Sequence, residues 1–158
     1  YGERGEWRFT TTGNFDLRRY VSSKDRNSTF VSLDESVQFS YNEDFTMQVG
    51  LTAAHEFTKA EQYEYTSGAA TLGGTYQLSD GASIYSRLKY SRSSYEEKES
   101  LMLEDRVDSQ LVATIGSSLK LEKDLFLDIN AQITDNTSTF GLYDYSRNIL
   151  TFSSSYRF

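Results

Sequence analysis

Few side chains in this sequence have catalytic potential. His55 is the only histidine, and cysteine is absent, so thiol chemistry, disulfides and cysteine-based zinc sites are excluded. A lone histidine leaves little for metal binding through nitrogen ligands. From these residues we expect no metal site, no cofactor and no enzymatic activity.

Charged and polar side chains form a second group, whose chemistry would be ion pairing and hydrogen bonding. They lie on the polar phase of segments in which polar and apolar residues alternate, and both signs of charge occur among them. The group comprises Glu6, Arg8, Asp34, Gln38, Glu56, Arg87, Lys89, Asp108, Lys120, Asp128, Asn130, Arg147 and Arg157. Because a buried charge is tolerated only when it is paired, we expect a hydrogen-bonded network of salt bridges that fills a closed interior.

Eight alternating segments would position these side chains, since a period of two residues is typical of β-strands. The clear segments are 125–134, 107–121 and 45–57, and the weaker ones are 7–17, 31–41, 70–78, 84–90 and 150–158. Short turns at 42–44, 79–81 and 122–124 alternate with longer polar stretches at 18–28, 58–63, 94–106 and 135–146. This alternation of connection lengths predicts an antiparallel, up-and-down arrangement of about eight strands.

The composition agrees with an all-β chain. At 158 residues, a single domain over 1–158 is expected. Proline, which cannot donate an N–H to a neighbouring strand, is absent. The net charge of −7 argues against a nucleic-acid partner, because phosphate binding needs a basic face. No run of about 20 apolar residues occurs, which excludes a transmembrane helix.

Three features favour a membrane barrel over a soluble sandwich, which remains an alternative. The segments are long enough to cross a bilayer at the tilt of barrel strands. Aromatic residues gather near the segment ends, as in the interfacial girdles of membrane barrels. They are Trp7, Tyr41, Phe45, Tyr76, Tyr156 and Phe158 towards the short turns, and Tyr20, Phe57, Tyr63, Tyr65, Tyr95, Tyr143 and Tyr145 towards the long loops. The polar face carries charges that a soluble core would not tolerate unpaired, so we expect the apolar face to contact lipid.

The C-terminal residues carry a resemblance to a known class of protein. The sequence Ser-Ser-Ser-Tyr-Arg-Phe at 153–158, with Tyr156 and Phe158 at alternate positions, resembles the signal by which bacterial outer-membrane barrels are recognised by their assembly machinery. With its eight segments, the whole chain is similar to small barrels of the OmpA transmembrane-domain and OmpX type. The resemblance implies a transmembrane antiparallel up-and-down β-barrel in the outer membrane of a Gram-negative envelope. Its implied partners are outer-membrane lipid, lipopolysaccharide and the assembly machinery.

Two functions are compatible with such a barrel. The first expectation is a structural or interaction protein with a polar, filled interior and with its loops as the contact surface. The alternative is a porin-like or export channel, formed as part of a larger barrel or an oligomer. The stretch 143–148 resembles C-terminal segments of larger porin-like and polysaccharide-export barrels, and Tyr1 is not a natural start, so a terminal part of a larger barrel stays open.

His55 is the basis of a further alternative, an enzyme that modifies lipid A. Small outer-membrane deacylases use a histidine, a serine and a glutamate near the level expected for His55. Here Phe57 occupies the position two residues on, where the deacylase pattern has serine. The other interpretation is that His55 is a polar aromatic residue at the membrane interface.

Glu35 breaks the alternation, because its phase with Leu33 and Val37 directs it towards lipid. An ionised carboxylate there is costly, so either a β-bulge shifts the phase or a partner covers this face. The expected neighbours, Thr11 and Gly13, are small enough to permit close approach by another chain. We therefore expect a candidate partner face on the first two strands, with the bulge as the alternative.

Overall fold

The structure, a computed structural model, describes residues 5–96, 105–122 and 125–156. The strands are β1 (Glu6–Arg18), β2 (Ser28–Ser40), β3 (Phe45–Thr58), β4 (Tyr65–Ser79), β5 (Ala82–Tyr95), β6 (Val107–Lys120), β7 (Leu125–Ser138) and β8 (Tyr145–Tyr156). Single turns of 3₁₀ helix occupy Lys24–Arg26, Glu61–Tyr63 and Gly141–Tyr143. Across the described ranges, no helix is long and apolar enough to cross a membrane.

All eight strands belong to one antiparallel sheet, in which each strand pairs with the next along the chain. The prediction of an all-β, up-and-down arrangement of eight strands is therefore confirmed. Consecutive strands are joined by alternately short and longer connections. A short turn is enough to join two antiparallel neighbours, because the second strand starts at the same end of the sheet at which the first one stops.

Several strands extend further towards the long connections than their apolar pattern predicts. β4 begins at Tyr65 rather than at residue 70, β7 continues to Ser138, and β8 begins at Tyr145 rather than at residue 150. In these extensions the backbone still pairs, as in Asn136 opposite Tyr145. Backbone hydrogen bonds do not require apolar side chains, so the apolar pattern ends before the strand does.

The register gives the sheet one polar and one apolar face. Val49 lies opposite Leu72, while Gln48 lies opposite Gln38. On β3 the polar face is the less accessible: Glu56 is 8% exposed, whereas Leu51 is 63% exposed. Because the described strands form a single layer, we infer from this difference that the sheet curves towards its polar face.

Both edge strands have a single neighbour. β1 pairs with β2 and β8 pairs with β7, and no pairing between β1 and β8 occurs in the part of the chain that the structure describes. Large apolar side chains of these strands are open, with Phe9 of β1 75% exposed and Phe152 of β8 65% exposed. Free backbone groups along such an edge are able to pair with another strand.

Candidate functional site

The charged residues predicted to form a network occupy the polar face. The register assigns Glu6, Arg8, Asp34, Arg87, Lys89, Asp108, Lys120, Asp128 and Arg147 to it, whereas Arg157 lies outside the described residues. Asp34 accepts hydrogen bonds from Asn14 (3.0 Å) and Thr52 (2.6 Å). Asp108 pairs with Arg106, a residue that the sequence did not single out.

The other predicted members are not brought together. Within the described ranges, no ion pair of 4.0 Å or less involves the remaining members of that set, which are Glu6, Arg8, Arg87, Lys89, Lys120, Asp128 and Arg147. Arg87 and Lys89 are both exposed on the polar face of β5. The polar face thus carries several cations that remain accessible to solvent.

Arg106, just before β6, is held by a carboxylate and by two aromatic rings. Its Nη2 donates to Asp108 Oδ2 at 2.6 Å and its Nε donates to Asp108 Oδ1 at 3.1 Å. The guanidinium carbon lies 4.1 Å from the ring centroid of Tyr95 and 3.3 Å from that of Tyr143. Burial alone would lower the pKa of Arg106, but the Asp108 hydrogen bond and carboxylate charge raise it above its ordinary value.

A second arginine and carboxylate pair lies further along the same end of the face. Arg18 of β1 donates to Glu56 of β3 at 2.9 Å, reaching across β2. Glu56 is the register partner of Tyr65, whose ring centroid lies 5.4 Å from that of Tyr95. We call Arg18, Glu56, Tyr65, Tyr95, Arg106, Asp108 and Tyr143 the rim cluster, because they line the long-connection end of the polar face.

Beside the rim cluster, a cavity of about 480 Å³ opens on the polar face. Its lining includes Ser93, Gln110, Asn136 and Tyr145 as well as members of the cluster. These side chains offer hydrogen-bond donors, acceptors and aromatic surfaces.

Two connections at this end, between β3 and β4 and between β7 and β8, share a hydrogen-bond pattern that was not predicted from the sequence. After each of two 3₁₀ turns, a carboxylate accepts a hydrogen bond from a backbone N–H six residues earlier: Thr58 to Glu64 (3.5 Å) and Ser138 to Asp144 (2.7 Å). The signal was available, since Tyr-Glu-Tyr-Thr at 63–66 and Tyr-Asp-Tyr-Ser at 143–146 are near repeats. These carboxylates fix the connections by satisfying backbone donors.

His55 lies at the same end but on the opposite, apolar face. Its Nδ1 lies 2.8 Å from Thr66 Oγ1, its Nε2 lies 3.2 Å from Glu64 Oε1, and its ring packs 4.1 Å from that of Phe57. In a Ser-His-Asp triad it is Nε2 that faces the nucleophilic hydroxyl and Nδ1 that faces the carboxylate. The arrangement here is reversed, which does not favour use of His55 in a hydrolase.

His55 and Glu64 also lie close to a third group that could hold a metal. Within the described ranges, one ligand atom from each of His55, Glu64 and Glu96 lies within 4.8 Å of the other two. A lone histidine predicts no metal site, but here two carboxylates supply the further ligand atoms. Glu64 and Glu96 come from different connections, so their proximity to His55 has no signal in the sequence.

Glu35 lies on the apolar face, as its phase predicts. The pairing of β2 with β1 and with β3 runs from Ser28 to Ser40 without a shift, so the alternative of a β-bulge does not explain the position of Glu35. Thr11 donates its hydroxyl to Glu35 at 2.8 Å. A Cβ at Gly13 would meet nothing within 4 Å, so space beside this position is free.

The short-turn end carries the predicted aromatic residues. The Trp7 and Phe39 ring centroids are 4.5 Å apart, and those of Phe39 and Tyr41 are 6.5 Å apart. Tyr156 ends β8 and is exposed, whereas Phe158, the other member of the predicted assembly signal, lies outside the described residues. Phe39 joins this aromatic group through its register with Trp7.

Comparisons with known proteins do not place the chain in a family. No protein-family model matches the sequence, and no curated protein matches it significantly.

Proposed function

We propose that the sheet is part of the transmembrane wall of a bacterial outer-membrane β-barrel, closed by further strands at β1 and β8. The apolar face contacts lipid and the polar face lines a water-filled passage for polar solutes. The protein is therefore a porin-like or export channel. The structural barrel with a filled interior, the first expectation from the sequence, becomes the competing proposal.

The observation that carries this proposal is the pair of unpaired edges. A barrel of eight strands has an interior just wide enough for its own side chains, and it would need β1 to pair with β8. Instead, both edge strands are exposed on both faces. Unpaired backbone groups are costly in lipid, so a membrane protein with these edges needs additional strands, which widen the barrel.

The charges of the polar face support the same conclusion. Arg8, Arg87, Lys89 and Arg147 are exposed and have no ion-pair partner within the described ranges. Charges sealed in a narrow interior would need partners. Charges that line a wide aqueous lumen do not, because water and counter-ions solvate them.

Cysteine labelling tests the proposal directly, because the native chain has no cysteine. Gln48→Cys lies on the polar face of β3 and Val49→Cys lies on its apolar face, so the two form a matched pair. In protein reconstituted in phospholipid vesicles, a membrane-impermeant maleimide is expected to label Gln48→Cys and to leave Val49→Cys unlabelled. Labelling should also reduce the conductance of Gln48→Cys in planar bilayers.

Two outcomes would count against the channel. Absence of conductance together with an unlabelled Gln48→Cys would favour the filled barrel. Detergent-free solubility with labelling of Val49→Cys would favour a soluble sheet. Heat-modifiable electrophoretic mobility of both variants serves as the check that each has folded.

The β1–β2 face supports a second proposal, a contact with a partner protein at Thr11, Gly13 and Glu35. The specific observation is the unshifted register, which leaves the Glu35 carboxylate on the apolar face. Glu35→Leu is expected to reduce the apparent mass of the complex in native gels of outer-membrane extracts, because it removes the carboxylate with which the partner would form a hydrogen bond. Glu43→Leu, in the exposed turn before β3, is the control, and an unchanged complex in Glu35→Leu would contradict this proposal.

Lipopolysaccharide is the proposed lipid contact of the first long connection. Arg19, Lys24 and Arg26 are exposed there, and basic groups of this kind pair with phosphate oxygens. Arg26 is also held against the Tyr63 ring, with its guanidinium carbon 4.8 Å from the ring centroid. The connection is thereby ordered for such a contact.

A further inference from the structure

We propose that His55, Glu64 and Glu96 form a divalent-cation site that takes Zn²⁺. The proposal does not depend on the channel function, because these residues lie on the opposite face from the polar passage. One ligand atom of each residue lies within 4.8 Å of the other two. The three side chains come from β3, from the connection before β4 and from the residue after β5.

The histidine is oriented as metal-binding histidines are. Its Nδ1 lies 2.8 Å from Thr66 Oγ1, which leaves Nε2 directed towards Glu64 Oε1 at 3.2 Å. A hydrogen bond from one ring nitrogen to a neighbouring group fixes the tautomer and orients the other nitrogen towards the metal. Thr66 is therefore the positioning residue, and His55 Nε2 is the ligand atom.

The Glu64 carboxylate and the Glu96 backbone are also held in place. The second oxygen of Glu64 accepts the Thr58 N–H at 3.5 Å, and the 3₁₀ turn Glu61–Tyr63 immediately precedes Glu64. The Glu96 N–H donates to the Glu64 carbonyl at 3.0 Å. This backbone contact ties the two connections together, so both side chains start from a fixed backbone separation.

The charge of the cluster calls for a cation. Two carboxylates held close together repel each other when both are ionised. Within the described ranges, no lysine or arginine lies within 4.0 Å of either glutamate. His55 and Glu64 are 23% and 21% exposed, whereas Glu96 is exposed, so water screens only the Glu96 side of this repulsion well.

The donor set selects the kind of cation. One imidazole nitrogen and two carboxylate oxygens suit Zn²⁺, which binds histidine and glutamate in four-coordinate sites. Ca²⁺ and Mg²⁺ prefer oxygen ligands alone. Three protein ligands leave one position for water, and the bound ion would bridge the connection between β3 and β4 to the end of β5.

Zinc titration of the folded, metal-free protein in detergent tests the site. Competition with a chromophoric chelator should give one Zn²⁺ per chain. His55→Ala and Glu96→Gln are each expected to weaken binding by at least about ten-fold, and Thr66→Val by about ten-fold through loss of the positioning hydrogen bond. Glu61→Gln, in the same turn but outside the cluster, should bind as the native protein does.

X-ray absorption at the zinc edge provides a second measurement. It should show one nitrogen ligand from imidazole with oxygen ligands, and the nitrogen signal should disappear in His55→Ala. The proposal is overturned if the native protein binds no stoichiometric Zn²⁺. Equal affinity in His55→Ala and native protein would overturn it as well. Circular dichroism confirms that each variant is folded.

Discussion

Arg106→Met is expected to lower the free energy of unfolding by about 3 kcal/mol, because it leaves the Asp108 carboxylate without its cation. The two side chains are only 15% and 12% exposed, so water replaces the lost partner poorly. The change also removes the guanidinium from between the Tyr95 and Tyr143 rings. Each stacking contact of this kind contributes roughly 0.5–2 kcal/mol.

Urea unfolding of the protein in phospholipid vesicles measures this effect. Arg147→Met is the matched control, because Arg147 is exposed and has no ion pair within the described ranges. Its effect on the free energy of unfolding should stay within about 0.5 kcal/mol.

Two further variants separate the charge from the geometry. The free energy of unfolding of Arg106→Lys should lie between those of Arg106→Met and the native protein, since lysine keeps the charge but loses the planar fork. The double variant Arg106→Met/Asp108→Leu should recover stability relative to Arg106→Met, because no charge is then left unpaired. Equal stability of Arg106→Met and Arg147→Met would show that the rim cluster does not contribute as described.

Reversing the two cations of β5 is expected to change the ion selectivity of the proposed channel. Arg87 and Lys89 are exposed two residues apart on the polar face, and both would attract anions into the proposed lumen. Arg87→Glu/Lys89→Glu replaces this positive field with a negative one. If the relative barriers for cations and anions change by about 1 kcal/mol, the ratio of their permeabilities shifts about five-fold towards cations.

The reversal potential under a salt gradient in planar bilayers measures this shift. Arg92→Glu is the control, because Arg92 lies on the same strand with its register on the apolar face. It should leave the selectivity unchanged. An identical reversal potential for the double variant and the native protein would contradict a lumen lined by the polar face. The effect should diminish at high salt, where counter-ions screen the charges.

The alternation of residue types predicted the strands because a strand repeats every two residues. It failed where strands continue through polar residues, as at Tyr65 and at Ser138, since the backbone pairs there without an apolar face. The same alternation correctly placed Glu35 on the apolar face. It could not exclude a bulge, because a bulge is a local change of pairing that only the register with Thr11 and Leu51 reveals.

The candidate site was less accessible to sequence reasoning than the fold. Asp108 was identified from its phase, but Arg106 precedes β6 and has no phase from which to place it. Glu64 and Glu96 likewise lie just outside the strands, where a charged residue by itself indicates only a solvated loop. Their roles depend on contacts between connections that are distant in sequence.

The sequence by itself determined the number of strands, their up-and-down order and the division into a polar and an apolar face. These properties follow from side-chain alternation and connection length, which are local. Only the tertiary structure established the edges of β1 and β8 that stay free among the described residues, the contacts of Arg106 with two tyrosine rings and the approach of Glu96 to His55. Those features depend on the curvature of the sheet and on the paths of separate connections, and side-chain alternation encodes neither.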